Sequence, residues 1–151
     1  MASPATHSNL PSEEDFDPCR GQLDAQTAWR NFGGLQIPAA YEKFCEHPYA
    51  YQENFMFMGP RAFRFYFPVI DRFLREHEGL DDYDNSEAWI LGQGIIFQLA
   101  QREDDSSLPH LEALASFVRA NLARYCTQPE NQRRIDHCWQ EVQTEIRKLK
   151  F

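Results

Sequence analysis

The stretch Gly59-Pro60-Arg61-Ala62-Phe63-Arg64-Phe65-Tyr66-Phe67-Pro68-Val69-Ile70-Asp71-Arg72-Phe73-Leu74-Arg75-Glu76-His77-Glu78-Gly79 decides the fold class. Phe63, Tyr66, Phe67, Ile70, Phe73, Leu74 and His77 recur at three- and four-residue spacing, which is the period of one helix face. Gly59-Pro60 opens the pattern and Gly79 closes it. Pro68 lies inside. It has no N–H to donate and its ring crowds the carbonyl of Arg64, so a kink is expected there. The apolar stripe stays in phase across Pro68, which predicts one kinked helix at about 60–78 in place of two helices. Asp71 and Arg75, four residues apart, predict a surface ion pair worth about 0.3–0.5 kcal/mol.

Downstream, Trp89, Ile90, Ile95, Ile96, Phe97, Leu99 and Ala100 make a helix at about 86–101 apolar almost all round, with Asn85 or Ser86 as cap. Such a helix is expected at the centre of the fold. Gly92 and Gly94 weaken it locally but let a neighbour come close. Ser107 and Pro109 start another helix with Leu111, Leu114, Ala115, Val118, Leu122 and Tyr125 on one stripe. Pro129 starts the last, striped by Ile135, Cys138, Trp139, Val142, Ile146 and Leu149. Lys148 and Lys150 complement the negative end of its dipole.

Upstream, Leu23, Ala25, Ala28, Trp29 and Phe32 form a short helical pattern stopped by Gly33-Gly34. Ile37, Ala40, Tyr41 and Phe44 follow around Pro38 and end at Pro48. Residues 49–58 alternate at Tyr49/Tyr51 and Phe55/Phe57, which permits a strand. A lone strand leaves its backbone groups unpaired, so an extended or irregular segment is expected. Residues 1–18 carry Pro4, Pro11, Pro18 and the acidic run Glu13-Glu14-Asp15. Only Leu10 and Phe16 could anchor them, and a flexible acidic tail is expected. Together these patterns predict an all-α fold, a single-domain bundle of five or six helices over residues 19–151. Its core should include Phe63, Tyr66, Ile70, Trp89, Ile96, Leu114, Val118 and Trp139.

Composition limits the function. The 151 residues hold 15 Lys+Arg against 23 Asp+Glu, a net charge of −8. That sign opposes unspecific binding to nucleic acid or an anionic membrane and suits a cationic protein partner. No apolar run is long enough for a transmembrane span. The first residues have no basic segment followed by an apolar one, so no secretory signal is expected. Cys19, Cys45, Cys126 and Cys138 are widely spaced in helical contexts. They read as buried or half-buried thiols of a cytoplasmic protein.

Chemical signatures are weak. Cys45-Glu46-His47 and His137-Cys138 lack the spacing that converges ligands on a metal, and the bland reading is core Cys beside exposed His. Asp82, Asp84 and Ser86 alternate like a calcium loop. Glu87 and Gln93 stand where such a loop needs Gly and Glu, so a solvated acidic loop is expected. No GxSxG, P-loop or GxGxxG occurs, and Gly92 and Gly94 sit inside an apolar helix. Neither cofactor nor metal is expected, and an activity as an enzyme is the less favoured reading. The segment from Tyr49 to Phe67 is the densest in aromatic residues. It reads either as a helix sandwiched between neighbours or as a cleft or partner surface, since aromatic and Arg side chains together anchor interfaces. Arg61 and Arg64 stand near a helix start, where the dipole disfavours cations. That placement suggests that they serve a partner, a buried carboxylate or the tail.

The run Asn54-Phe55-Met56-Phe57-Met58-Gly59-Pro60-Arg61-Ala62-Phe63-Arg64-Phe65-Tyr66-Phe67-Pro68, with Asp84-Asn85-Ser86-Glu87-Ala88-Trp89 downstream, resembles a family of small bacterial proteins without assigned activity. Their mark is a G-P-x-A-F-R-(Y/F)-Y-(L/F)-P helix, with Phe65 and Phe67 here replacing the usual Tyr and Leu. Such proteins resemble the acidic helical immunity or accessory proteins of polymorphic toxin systems. The resemblance implies no functional residues. The expected function is a non-enzymatic, cytoplasmic immunity protein or inhibitor that neutralises a cationic toxin or effector. Asp81, Asp82, Tyr83, Asp84 and Glu87 of the acidic loop, with Tyr51, Arg61 and Arg64, are the candidate partner-binding residues. A small-ligand protein or enzyme with an aromatic cleft near Tyr49–Arg64 is one alternative. An acidic mimic of nucleic acid is another.

Overall fold

The computed structural model describes residues 9–76, 87–101 and 107–150. Among them the regular structure is helical, with no strand. The chain divides into two compact units, residues 1–69 and 70–151.

In the first unit α1 (Glu13–Phe16) is built by a capping box. Ser12 Oγ accepts from the Asp15 N–H at 3.3 Å, and the Ser12 N–H donates to Asp15 Oδ2 at 2.8 Å. The turn delivers Phe16, fully buried, against Trp29 at 5.3 Å and Tyr66 at 5.7 Å between ring centroids. From Ser12 onward the expected tail is therefore folded, because Phe16 gains more from burial than the short segment loses on ordering. Residues 1–8 lie outside the described residues.

Asp17 holds the loop that leads into α2 (Leu23–Phe32). Its buried Oδ2 accepts from the N–H groups of Gly21 at 2.8 Å and Gln22 at 3.3 Å. The linking loop takes positive φ at Arg20 and Gly21. At the far end, Gly34 turns the chain with φ 79°. The Tyr66 hydroxyl lies 2.8 Å from the Phe32 carbonyl and 2.7 Å from the Leu35 carbonyl, and its single proton donates to one of them at a time, which holds the turn after α2 against the helix that carries Tyr66.

α3 (Ile37–Glu46) carries Pro38 in its first turn and buries Ala40 and Phe44. Residues 48–57 form two single turns, α4 (Pro48–Tyr51) and α5 (Asn54–Phe57), where an extended or irregular segment was expected over 49–58. Local bonds such as Gln52 N–H to Pro48 O at 2.9 Å satisfy the backbone that a lone strand would leave open. Phe55 then packs on Phe32 and Phe44.

α6 (Pro60–Glu76) runs unbroken through Pro68, whose ring is exposed. A Cβ on Gly59 would collide with the Asp15 carbonyl oxygen, and the Gly59 N–H donates to Phe16 O at 2.8 Å. The Gly-Pro start of the sequence motif is thus the seat of α1.

The second unit contains α7 (Glu87–Leu99), α8 (Leu108–Ala120), a 3-10 turn (Leu122–Arg124) and α9 (Pro129–Lys150). α7 and α8 both pack on α9. Trp139, fully buried, donates from Nε1 to the Ala88 carbonyl at 2.8 Å. Arg119 of α8 reaches Asp136 Oδ1 and Gln143 Oε1 of α9, both at 2.8 Å. α8 stops at Ala120, five residues short of Tyr125 at the end of its expected stripe. Tyr125 instead donates to Leu74 O at 2.6 Å and Arg124 to Arg75 O at 2.7 Å, which ties the 3-10 turn region to the last described turn of α6. The expected Asp71–Arg75 pair is present at 3.1 Å. Among the described residues, six helices of ten residues or more, plus three single turns, slightly exceed the five or six expected.

Of the expected core, Phe63, Tyr66, Ile70, Leu114, Val118 and Trp139 are buried. Trp89 and Ile96 are only half-buried: they lie off the side of α7 that buries Leu91 and Ile95, and the Trp89 ring is covered on one face by Arg134 of α9. Cys126 and Cys138 are buried as expected, whereas Cys19 and Cys45 are exposed. Cys19 sits in the loop before α2, and Cys45 is off the face of α3 that buries Ala40 and Phe44. No helix among the described residues is long and apolar enough to cross a membrane.

Candidate partner-binding surface

α7 places its side chains in a pattern that hydrophobicity alone does not give. At 100° per residue, Ala88, Leu91, Gly92, Ile95, Gln98 and Leu99 fall on the packed side, and all are buried. Trp89, Ile90, Gln93, Ile96 and Phe97 fall together on the opposite side, half-buried or exposed, with Phe97 at 44%. Gln98 is buried while Phe97 faces out, the reverse of the ordinary preference. The outward residues form a stripe about 12 Å long, eight steps of about 1.5 Å.

The edge of this stripe is set by α9. The Arg134 guanidinium lies over the Trp89 ring at 3.8 Å from its centroid. That stacking supplies a cation–π attraction and covers one face of the ring. Cys138 Sγ lies 3.6 Å from the Trp89 carbonyl and accepts from Gln93 Nε2 at 3.4 Å. Burial pushes its thiol up to about 12, the Gln93 bond opposes the shift, and the nearby exposed Glu141 carboxylate reinforces it. A thiol held neutral to such a pH is not a nucleophile at neutral pH. The close approach depends on Gly92: a Cβ there would stand 2.6 Å from Cys138 Sγ and 3.0 Å from Trp139 Nε1.

Of the residues singled out in the sequence, Asp81, Asp82, Tyr83 and Asp84 lie outside the described residues, as do the bracketing acids Glu103, Asp104 and Asp105. Glu87 is the first residue of α7 and half-buried. Tyr51 belongs to the first unit, half-buried, edge-on to Phe32 at 5.7 Å and with Lys43 Nζ 5.4 Å from its ring centroid. Arg61 is exposed and 3.7 Å from Asp15, so of the three roles open to it the structure shows the N-terminal segment. Arg64 is exposed and makes no hydrogen bond or ion pair among the described residues. The dense aromatic segment packs on aromatic residues of the preceding helices: Phe55 meets Phe32 and Phe44, and Tyr66 meets Phe32, at 5.4–6.0 Å between ring centroids. Tyr49, 68% exposed, stands apart from this packing.

A shallow polar recess of about 470 Å³ in the first unit is lined by Glu13, Glu14, Asp17, Arg20, Gly21 and Gln26. Asp17 Oδ1 is buried there without a hydrogen-bond partner, and Arg20 is paired with Glu14 at 2.9 Å. No group of three His, Cys, Asp or Glu placed to hold a metal occurs among the described residues. Sequence reasoning missed the outward stripe because an all-round apolar helix reads as central. The short complement of long helices, too few to surround α7, was the available signal. Comparison with family models, with curated proteins and with solved structures finds no match for this chain.

Proposed function

We propose that this chain works by binding another protein, as a cytoplasmic immunity protein or inhibitor that neutralises a toxin or effector. The observation that carries the reading is the outward apolar stripe of α7, Trp89, Ile90, Ile96 and Phe97, on a chain of net charge −8. Contiguous apolar surface on an acidic protein favours a partner, because its exposure to water is unfavourable and its burial supplies affinity. The resemblance of the Met58–Pro68 motif to helical accessory proteins points the same way, although the motif residues themselves serve packing. Gly59 seats α1, Tyr66 holds the turn after α2, and Ala62, Phe63 and Phe67 are buried.

The test is a binding measurement between the purified chain and the product of any toxin-like neighbouring gene, with growth rescue alongside. Saturable binding with rescue is expected. No binding and no rescue, together with turnover of a small substrate by the purified chain, would overturn the reading in favour of an enzyme.

A further inference from the structure

We infer that the polar recess beside Asp17 binds a primary ammonium group, carried by a small amine or by a lysine side chain. The proposal goes beyond the protein-binding reading and does not depend on it. The recess, about 470 Å³, lies wholly in the first unit and is built by α1, the loop after it and the first turn of α2. Asp17 is its fixed element, only 4% exposed. Its Oδ2 accepts from the Gly21 N–H at 2.8 Å, the Gln22 N–H at 3.3 Å and Gln26 Nε2 at 3.3 Å. Its Oδ1 is buried and has no hydrogen-bond partner among the described residues. A buried carboxylate oxygen without a donor is unfavourable, and a donor arriving through the recess relieves it.

Charge and hydrogen-bond count select the ligand. The groups that donate to Oδ2 are neutral and leave the charge of the carboxylate in place. Among the lining residues Glu13, Glu14 and Asp17 are acids and Arg20 is the cation. Arg20 pairs with Glu14 at 2.9 Å out in solvent, with side-chain exposures of 81% and 73%. That pair leaves Asp17 and Glu13 without a counter-charge among the described residues, so an anion is repelled. A guanidinium docks a carboxylate through two parallel bonds, and with Oδ2 already taken its fork finds one oxygen. A divalent metal needs several oxygen ligands at once, and no three His, Cys, Asp or Glu converge among the described residues. An ammonium is a compact charge with three donors. Asp17 Oδ1 takes one. The exposed Glu13 carboxylate lines the same recess for another, as does Gln26 Oε1, whose amide nitrogen already serves Asp17.

The experiment follows the Gly21 and Gln22 amide resonances of the full chain by NMR, because both N–H groups report on the Asp17 carboxylate. The probes, at equal ionic strength, are ethylammonium, Nα-acetyl-lysine methylamide, Nα-acetyl-arginine methylamide, tetramethylammonium and calcium chloride. The expected result is a saturable shift with the first two. The arginine compound should bind at least about tenfold more weakly, and tetramethylammonium, which has the charge but no N–H, should leave the resonances in place. Tighter binding of ethylammonium assigns the site to a free amine, and tighter binding of the lysine compound assigns it to a protein side chain. Asp17→Asn should keep the fold, since its amide oxygen accepts from Gly21 and Gln22, and should abolish the response, since its NH2 group then stands in place of Oδ1. Glu13→Gln should weaken binding severalfold. Glu46→Gln, the same loss of charge at the exposed end of α3, should leave it unchanged. Unmoved resonances with both ammonium probes overturn the proposal. So does an equal shift with tetramethylammonium, which reduces the effect to screening, and so does equal affinity of the arginine compound. A saturable response to calcium alone makes the recess a metal site and overturns it as well. If circular dichroism shows Asp17→Asn unfolded, the Glu13→Gln variant and the probe series still decide.

Discussion

Gly92 is where one hydrogen atom in place of a methyl group decides a packing. Ala is the better helix former by about 1 kcal/mol, so on propensity alone Gly92→Ala should stabilise α7. The added Cβ would stand 2.6 Å from Cys138 Sγ, closer than atoms can pack. Overpacking of this kind typically costs about 1–3 kcal/mol. Gly92→Ala is therefore expected to lower the urea midpoint, and adding Cys138→Ala should recover part of the loss. A variant as stable as the parent would show that α7 and α9 separate at no cost.

Three buried acids set the response to alkali. Burial pushes the Tyr66 phenol from 10.0 up to about 12, with the bond to the Leu35 backbone opposing. Burial does the same to Tyr125, against the charges of Arg124 and Arg75. Cys138 rises from 9.0 to about 12. In each case the folded chain keeps its proton to higher pH than the unfolded chain does. The stabilisation is complete below about pH 9 and is lost as pH rises through about 12. Thermal midpoints should fall across that window. Tyr66→Phe should flatten the fall while lowering stability at neutral pH by about 1 kcal/mol for the lost hydrogen bond.

At the scale of the element, α6 continues through Pro68 with the ring in solvent. The missing N–H deprives the Arg64 carbonyl of its helical donor, and no packing depends on the ring. Pro68→Ala is expected to stabilise the protein by about 1–3 kcal/mol, measured by denaturant unfolding. A loss of stability would mean that the Pro geometry is needed to aim the two ends of α6. α7 allows a paired test. Ile95 is fully buried, and Ile95→Ala should cost about 2–5 kcal/mol. Its neighbour Ile96, on the outward stripe, should cost about 1 kcal/mol or less. Equal costs would place Ile96 in the core and remove the stripe.

The whole molecule is acidic, and its long-range field acts before any contact forms. Association with a basic partner should be electrostatically steered. The on-rate should fall steeply from about 0.1 M to about 1 M salt, as the Debye length shrinks from about 10 Å to about 3 Å. Replacing Asp81, Asp82 and Asp84 together by Asn should slow association more than it speeds dissociation, whereas loss of an α7 anchor should chiefly raise the off-rate. Stopped-flow traces at several salt concentrations separate the two. An on-rate indifferent to salt would remove charge from the mechanism.

Helicity, the start of α6 at Gly59-Pro60 and its passage across Pro68 were all legible in the sequence. They depend on spacing and on residues whose backbone limits are local. So was the Asp71–Arg75 pair, since four residues along a helix bring side chains together whatever surrounds them. Residues 49–58 were expected to be extended or irregular because no second strand could pair with them; their two single helical turns rest on local bonds and on packing against Phe32 and Phe44, which the aromatic alternation does not record. Phe16 looked like part of a tail because its pocket is made by Trp29 and Tyr66, far away in the chain. The outward stripe of α7 could not be read from residue types at all. Ile95 and Ile96 are the same amino acid, and only the tertiary packing around the helix buries the first and leaves the second half-buried. A single sequence sets the period of an apolar pattern. Which part of an all-round apolar helix faces water depends on how many neighbours the tertiary structure has to cover it.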